Sequence, residues 1–70
     1  MTPRQFYYSL PRERLEEVAL DAGTSFGNFK QIAIANGSCS PDLAARLAAA
    51  SQGRMTEMEI LYPSRFDQSA

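Results

Sequence analysis

Small and apolar residues at fixed intervals constrain the fold most strongly in the segment that runs from Ala19 to Asn36. We expect Ala19 to lie where two helices cross, because a larger side chain there would hold the helices apart. Gly23 suits the end of the first helix, since a residue without Cβ takes the left-handed conformation at the least cost. Phe29 and Ile32 then supply the buried side of the next helix. The segment therefore predicts a helix, a tight turn and a second helix.

The N-terminal part of the chain predicts two helices. The first is short, and the second is the leading helix of the helix-turn-helix pair. Thr2 followed by Pro3 is an N-cap and first-turn pair, and Pro11 interrupts the helix that this pair begins. Between Pro11 and Ala22 the apolar residues follow the amphipathic spacing i, i+3, i+4 and i+7. They are Leu15, Val18, Ala19 and Ala22.

Three more N-cap candidates divide the rest of the chain into helices. Ser25 is expected to begin a third helix that reaches about Asn36. Ser40, which precedes a proline, is expected to begin a fourth helix that Gly53 ends. Thr56 is placed to cap a short last helix.

The chain shows no strand pattern and no internal repeat, so we predict an all-α fold, a small bundle of four to five helices. A chain of 70 residues allows one small domain. We assign residues 1–63 to this domain and residues 64–70 to a flexible tail. The sequence leaves open whether residues 54–62 are helical or partly extended.

Composition argues against several classes of protein. The chain has no His and a single Cys, Cys39, which is expected to be a free thiol in a reducing cytoplasm. No catalytic site, metal site or cofactor is expected, because no nucleophile and base occur at a plausible spacing, and we expect neither an enzyme nor a small-molecule substrate. No run is apolar enough for a signal peptide or a membrane span, so we expect a cytoplasmic protein.

Between Leu15 and Leu47, small and apolar residues recur at characteristic intervals. They are Ala19, Gly23, Phe29, Ile32, Gly37, Ser40, Pro41, Leu43 and Leu47. This run resembles the helix-turn-helix domain of the lambda repressor and Cro family of phage and bacterial transcription regulators. The wider pattern is similar to that of small Cro-type regulators of prophages. It includes Ser9-Leu10, Ala22 to Ser25, Lys30 to Ala33, Ser40-Pro41 and Gly53 to Thr56. The resemblance implies a double-stranded DNA-binding repressor that acts as a homodimer, with the helix from about Ser25 to Asn36 in the major groove. It also implies a bacterial, nucleoid-associated protein.

The resemblance also implies which residues contact base edges. Gln31 has the groups to pair bidentately with adenine, Lys30 can donate to guanine or to a phosphate, and Ile34 can pack on a thymine methyl group. The full set lies after the turn and along the outer side of the third helix. It comprises Phe26, Gly27, Lys30, Gln31 and Ile34.

Four of these residues have alternative interpretations. Lys30 and Gln31 are equally consistent with solvated side chains on an exposed helix. The family commonly has a polar side chain at the position of Phe26, and packing against Tyr7, Tyr8 or the fourth helix is at least as consistent with a Phe there. Gly27 lowers helix propensity by about 1 kcal/mol relative to Ala. Either the DNA approaches the helix closely at Gly27, or another part of the protein packs closely against it.

Phosphate contacts are expected from polar and basic side chains near the helix starts and the loop before the fourth helix. Arg12 and Arg14 have an equally good alternative, which is pairing with Glu16 and Glu17 on the same helix. The candidates are Arg12, Arg14, Ser25, Asn28, Asn36 and Ser38.

The C-terminal segment carries more apolar material than a tail normally does. Part of it should close the core, and the remainder suggests a homodimer contact. The residues assigned to this contact are Met55, Met58, Ile60, Leu61 and Tyr62.

Charge favours a competing hypothesis. The net charge is −1, with seven basic and eight acidic side chains, whereas DNA-binding domains usually carry a basic excess. The second helix is acidic, and Phe26 is apolar where a polar residue is common. The alternative is a protein-interaction module on the same scaffold, of the antitoxin or anti-repressor kind, with little DNA binding.

Overall fold

Five α-helices and a 3-10 turn make up the described part of the chain, which is residues 1–35 and 39–65 of a computed structural model, with the backbone alone at Ser64. Within these ranges there is no strand, so the predicted all-α fold is confirmed. The elements are α1 (Pro3–Ser9), α2 (Arg12–Asp21), α3 (Phe26–Ile34), α4 (Pro41–Ala50), α5 (Glu57–Leu61) and the turn Pro63–Arg65.

The predicted N-caps begin four of the five helices. Thr2, Ser25, Ser40 and Thr56 each accept a hydrogen bond from the backbone N–H three residues later, at 3.1–3.2 Å. At Thr2 and Thr56 the side chain three residues later also accepts from the N–H of the cap, which completes a capping box. The segment 54–62 is therefore helical over α5.

α2 and α4 are each followed by a residue in the left-handed conformation, but the residue type at that position differs. After α2, Gly23 has φ +78° and, as predicted, takes the left-handed position, with the N–H of Thr24 donating to the carbonyl of Ala19 at 2.9 Å. After α4, Gln52 has φ +58° and takes this position, and Gly53 follows it. The sequence placed the end of the fourth helix at Gly53, whereas α4 ends at Ala50.

A buried hydroxyl explains this earlier end. The Oγ atom of Ser51 donates to the carbonyl of Ala48 at 2.8 Å and accepts from the N–H of Met55 at 3.0 Å. The second bond forms only if the chain leaves the helix after Ala50, and the turn brings the side chain of Met55 fully into the core. A buried hydroxyl with both partners avoids the cost of an unsatisfied polar group.

The core lies where α1 packs on α3, α2 packs on α3 and α4, and α4 packs on α5. Ala19 and Ala44 have no solvent exposure, and their small size lets α2 approach its neighbours closely. The rings of Phe6 and Phe29 meet edge to face with centroids 6.2 Å apart. The core residues are Phe6, Leu15, Ala19, Ala22, Phe29, Ile32, Ala33, Ala44, Leu47, Met55 and Ile60.

Two of the predicted boundaries lie at or beyond the edge of the described residues. The 3-10 turn extends the described chain through Arg65, across the start of the predicted tail at residue 64, and residues 66–70 lie outside the described residues. Asn36, the expected end of the third helix, also lies outside them, and α3 is described to Ile34 with Ala35 as its C-cap. Among the described helices, none is long and apolar enough to cross a membrane.

Candidate nucleic-acid interface

The predicted helix, turn and helix form the scaffold of the candidate site. α2 ends at Asp21, residues 22–25 make the turn, and α3 begins at Phe26 with Ser25 as its N-cap. The inner face of α3 is buried, since Phe29, Ile32 and Ala33 are each at most 6% exposed. This packing fixes how α3 is rotated, and so it decides which of its side chains face outward.

Four of the five residues predicted to contact bases lie together on the outer face of α3. Gly27, Lys30 and Gln31 are exposed, and Ile34 is half-buried. With Ala35 they line a shallow concave patch on the surface. Neither Lys30 nor Gln31 uses its side chain in a hydrogen bond or ion pair with another described residue.

The surroundings of Gly27 separate its two interpretations. A Cβ atom placed on Gly27 would have no atom within 4 Å among the described residues. Close packing inside the described part of the protein therefore does not account for this glycine. Gly27 leaves room outside the helix, on the face that also carries Lys30 and Gln31.

Phe26 differs from the other four residues because its ring packs within the protein. The ring is half-buried and lies against Tyr7, with centroids 6.1 Å apart and an angle of 31° between the planes. Tyr8 in turn meets Tyr7 edge to face at 5.3 Å. Packing against Tyr7 was one of the alternatives for Phe26, and the structure shows it; Phe26 is not among the residues that line the patch.

The two arginines proposed for phosphate contact lie on α2 and are paired with its glutamates. Nε of Arg12 lies 3.2 Å from Oε2 of Glu16, and Nη1 of Arg14 lies 3.5 Å from Oε1 of Glu17. All four side chains are at least 45% exposed, so solvent weakens both pairs and a competing anion can reach the arginines.

Two of the other phosphate candidates, Ser25 and Asn28, lie at the turn and in the first turn of α3. Ser25 caps α3, and Nδ2 of Asn28 donates to the hydroxyl of Thr24 at 2.8 Å. Ser25 and Asn28 are both exposed at the start of α3. Asn36 and Ser38 lie outside the described residues.

The residues assigned to a homodimer contact divide into two groups. Met55 and Ile60 are at most 3% exposed and belong to the core, which corrects their assignment to a surface. Leu61 is half-buried, and Met58 and Tyr62 are 47% and 46% exposed. Burial of the first pair follows from the turn at Ser51, which directs the side chain of Met55 inward and sets the side of α5 that faces α4.

Cys39 carries the single thiol of the chain, and its surroundings determine how reactive it is. Partial burial raises the pKa of the Cys39 thiol, and the opposing effect of the Arg46 guanidinium is smaller. A thiol that stays protonated is a poor nucleophile. The described residues hold no group of three or more His, Cys, Asp or Glu side chains placed to bind a metal ion.

Sequence reasoning missed one contact at this site. The guanidinium of Arg12 lies over the ring of Phe26, with its Cζ atom 4.7 Å from the ring centroid. The two residues come from different helices, so no local spacing could have indicated the contact.

A comparison of the chain with protein-family models, curated proteins and solved structures found no match.

Proposed function

We propose that this protein is a sequence-specific transcription regulator that binds double-stranded DNA, a Cro-type repressor that acts as a homodimer with α3 in the major groove. The observation that carries the proposal is the outer face of α3. There Gly27, Lys30 and Gln31 are exposed and lie beside Ile34, which is half-buried and also packs against the core. No packing among the described residues requires a glycine or these two polar side chains at these positions.

The chemistry of these side chains suits base recognition in the major groove. Gln31 has an amide donor and acceptor that match the N7 and N6 edge of adenine. Lys30 donates to the O6 and N7 atoms of guanine, and Ile34 offers an apolar surface to a thymine methyl group. A glycine at position 27 lets the sugar-phosphate backbone or a base edge approach the helix closely.

A homodimer fits both the exposed apolar residues and the low charge of one chain. Two copies related by a two-fold axis place their α3 helices in successive major grooves, about 34–36 Å apart. Two binding helices compensate for weak phosphate contact by each one. Met58 and Tyr62, which are large and exposed on and just after α5, are the residues we assign to the contact between copies.

Selection of bound duplexes from a random pool, followed by titration with salt, tests the proposal. We expect one enriched motif with two half-sites, and an affinity whose logarithm falls linearly with the logarithm of salt concentration. Gln31→Ala should lose about 1–3 kcal/mol of discrimination at one base pair in each half-site. Lys30→Ala should either do the same at another base pair or weaken binding to all sequences alike.

Arg54→Ala is the matched control for Lys30→Ala. It also removes one exposed positive charge, but Arg54 lies between α4 and α5 and lines a different surface cleft. It should leave the selected motif unchanged. Absence of binding to any duplex at low salt would contradict the proposal, and sequence-independent losses for Gln31→Ala would contradict base reading by that residue.

The second candidate function is a protein-interaction module of the antitoxin or anti-repressor kind. Leu20 favours it, because this apolar side chain is 73% exposed on α2 beside exposed Glu17 and Asp21. Under this hypothesis the acidic helix α2 is the contact surface, and Leu20→Ser should abolish partner binding. The salt titration distinguishes the two functions, since only the first requires a steep dependence of duplex binding on salt.

A further inference from the structure

Three helices meet in an aromatic cluster at the N-terminal end of α3. Tyr7 comes from α1, Phe26 is the first residue of α3, and Arg12 is the first residue of α2. Phe26 lies against Tyr7 on one side, and the Arg12 guanidinium lies over the same ring at 4.7 Å. The cluster therefore connects the start of the proposed DNA-binding helix to a cation on a neighbouring helix.

Arg12 is held at two points and remains open to solvent. The ring of Phe26 supports the guanidinium, and Nε donates to Oε2 of Glu16 at 3.2 Å. The Arg12 side chain is nevertheless 73% exposed. No described residue accepts a hydrogen bond from its terminal nitrogens, Nη1 and Nη2.

Arg14 provides a comparison on the same helix. It is also exposed and paired with a glutamate, but the pair is formed by a terminal nitrogen, Nη1, at 3.5 Å from Glu17. No aromatic ring lies under its guanidinium among the described residues. Arg12 is thus oriented with its terminal nitrogens available, whereas Arg14 uses one of them within α2.

We propose that Phe26 is a positioning residue, which holds Arg12 so that its terminal nitrogens donate to a DNA phosphate beside the start of α3. The proposal rests on the function proposed above. The planar fork of an arginine matches two phosphate oxygens, and stacking on a ring leaves that fork accessible. The stack also restricts the side chain before binding, which reduces the entropy lost when the contact forms.

This role accounts for the apolar residue at position 26. Phe26 does not itself read a base, and it acts on DNA through Arg12. Glu16 serves the same arrangement from the other side, because its carboxylate fixes Nε and leaves Nη1 and Nη2 unused. The negative charge of Glu16 also opposes the approach of a phosphate, so this residue limits the affinity that the arginine provides.

A double-mutant cycle on duplex affinity tests the proposal. The duplex is the one selected by the wild-type protein. Arg12→Ala should reduce the slope of log affinity against log salt by about 0.9 for each phosphate contact that is lost. Phe26→Leu, which keeps an apolar side chain against Tyr7, should weaken binding about two- to fivefold, the factor that corresponds to a solvent-exposed cation–π contact. In the Arg12→Ala background, Phe26→Leu should have no further effect.

Matched variants separate positioning from a merely structural role. Phe26→Tyr keeps an aromatic ring beneath the guanidinium, so this variant should bind the duplex with wild-type affinity. Phe26→Leu combined with Arg14→Ala should give additive losses, because Arg14 has no ring beneath it. Glu16→Gln should increase affinity by removing a negative charge beside the phosphate, and Glu17→Gln should increase it less. Thermal unfolding followed by circular dichroism establishes that each variant is folded.

The outcomes distinguish this inference from the function on which it rests. A wild-type protein that binds no duplex would contradict both. A wild-type protein that binds a selected duplex, together with additive effects of Phe26→Leu and Arg12→Ala, would overturn the positioning role alone. An unchanged salt slope in Arg12→Ala would also overturn it. If Phe26→Leu does not fold, the test rests on Phe26→Tyr and Arg12→Ala. Loss of duplex affinity in Phe26→Tyr would count against the proposal. Wild-type affinity in Phe26→Tyr, together with a reduced slope of log affinity against log salt in Arg12→Ala, would support it.

Discussion

The two faces of α3 differ in what holds their residues in place. On the inner face, Phe29 is fully buried and its ring contacts Phe6 edge to face at 6.2 Å and Tyr7 at 6.5 Å. On the outer face, Lys30 and Gln31 contact no described partner through a hydrogen bond or ion pair. The fold explains the residues on the inner face, whereas on the outer face it explains Ile34, which packs partly against the core, but not Lys30 or Gln31.

This difference makes the helix useful for separating stability from function. Burial of an apolar side chain stabilises the folded chain, so a substitution on the inner face changes the population of folded protein. A substitution on the outer face leaves that population nearly unchanged and acts on whatever the face binds. Measuring the free energy of unfolding and duplex affinity for the same variants therefore tests the comparison directly.

The largest effect is expected at Phe29. Phe29→Ala should lower the free energy of unfolding by about 3–5 kcal/mol, which includes the cost of the cavity left between α1 and α3. A core of this size supplies roughly that amount in total, so the variant should be largely unfolded at room temperature. Circular dichroism during denaturant titration measures it. Phe29→Leu should stay folded, and a cooperative Phe29→Ala transition near the wild-type midpoint would refute the assignment of Phe29 to the core.

Local sequence signals account for most of what could be predicted about the fold. An N-cap and the N–H that it binds are three residues apart, and the left-handed residue after α2 is a glycine. These interactions lie within a few residues, so Thr2, Ser25, Ser40, Thr56 and Gly23 could be identified without the tertiary structure.

Burial and the crossing of helices account for most of what could not be predicted. The turn after α4 is fixed by the buried hydroxyl of Ser51, and so Gln52 takes the left-handed position before Gly53 does. Apolar composition alone could not show that Met55 would be buried while Met58 would be exposed. The contact of Arg12 with Phe26 requires the crossing of α2 and α3. Which outer residues touch DNA depends on a second molecule and stays a prediction.

Gly27 sharpens the comparison with a substitution that should stabilise the protein. Gly27→Ala should raise the free energy of unfolding by about 1 kcal/mol, because Ala favours helix and its Cβ meets no described atom within 4 Å. Thermal unfolding measures the gain, and duplex binding should weaken in the same variant if DNA approaches the helix there. Gly23→Ala is the control of opposite sign: at φ +78° a Cβ costs about 1–2 kcal/mol. A loss of stability in Gly27→Ala would show that the outer face is packed.

The smallest effect is expected for the two polar residues of the outer face. Lys30→Ala and Gln31→Ala should each change the free energy of unfolding by less than about 0.5 kcal/mol, since both side chains are exposed and make no hydrogen bond or ion pair with a described residue. Both variants should nevertheless weaken binding to the selected duplex. Denaturant titrations of the two variants and of Arg54→Ala, made alongside the affinity measurements, provide the check. A loss of more than about 1 kcal/mol in either variant would mean that the fold itself uses these side chains. The outer face would then no longer be evidence for DNA recognition.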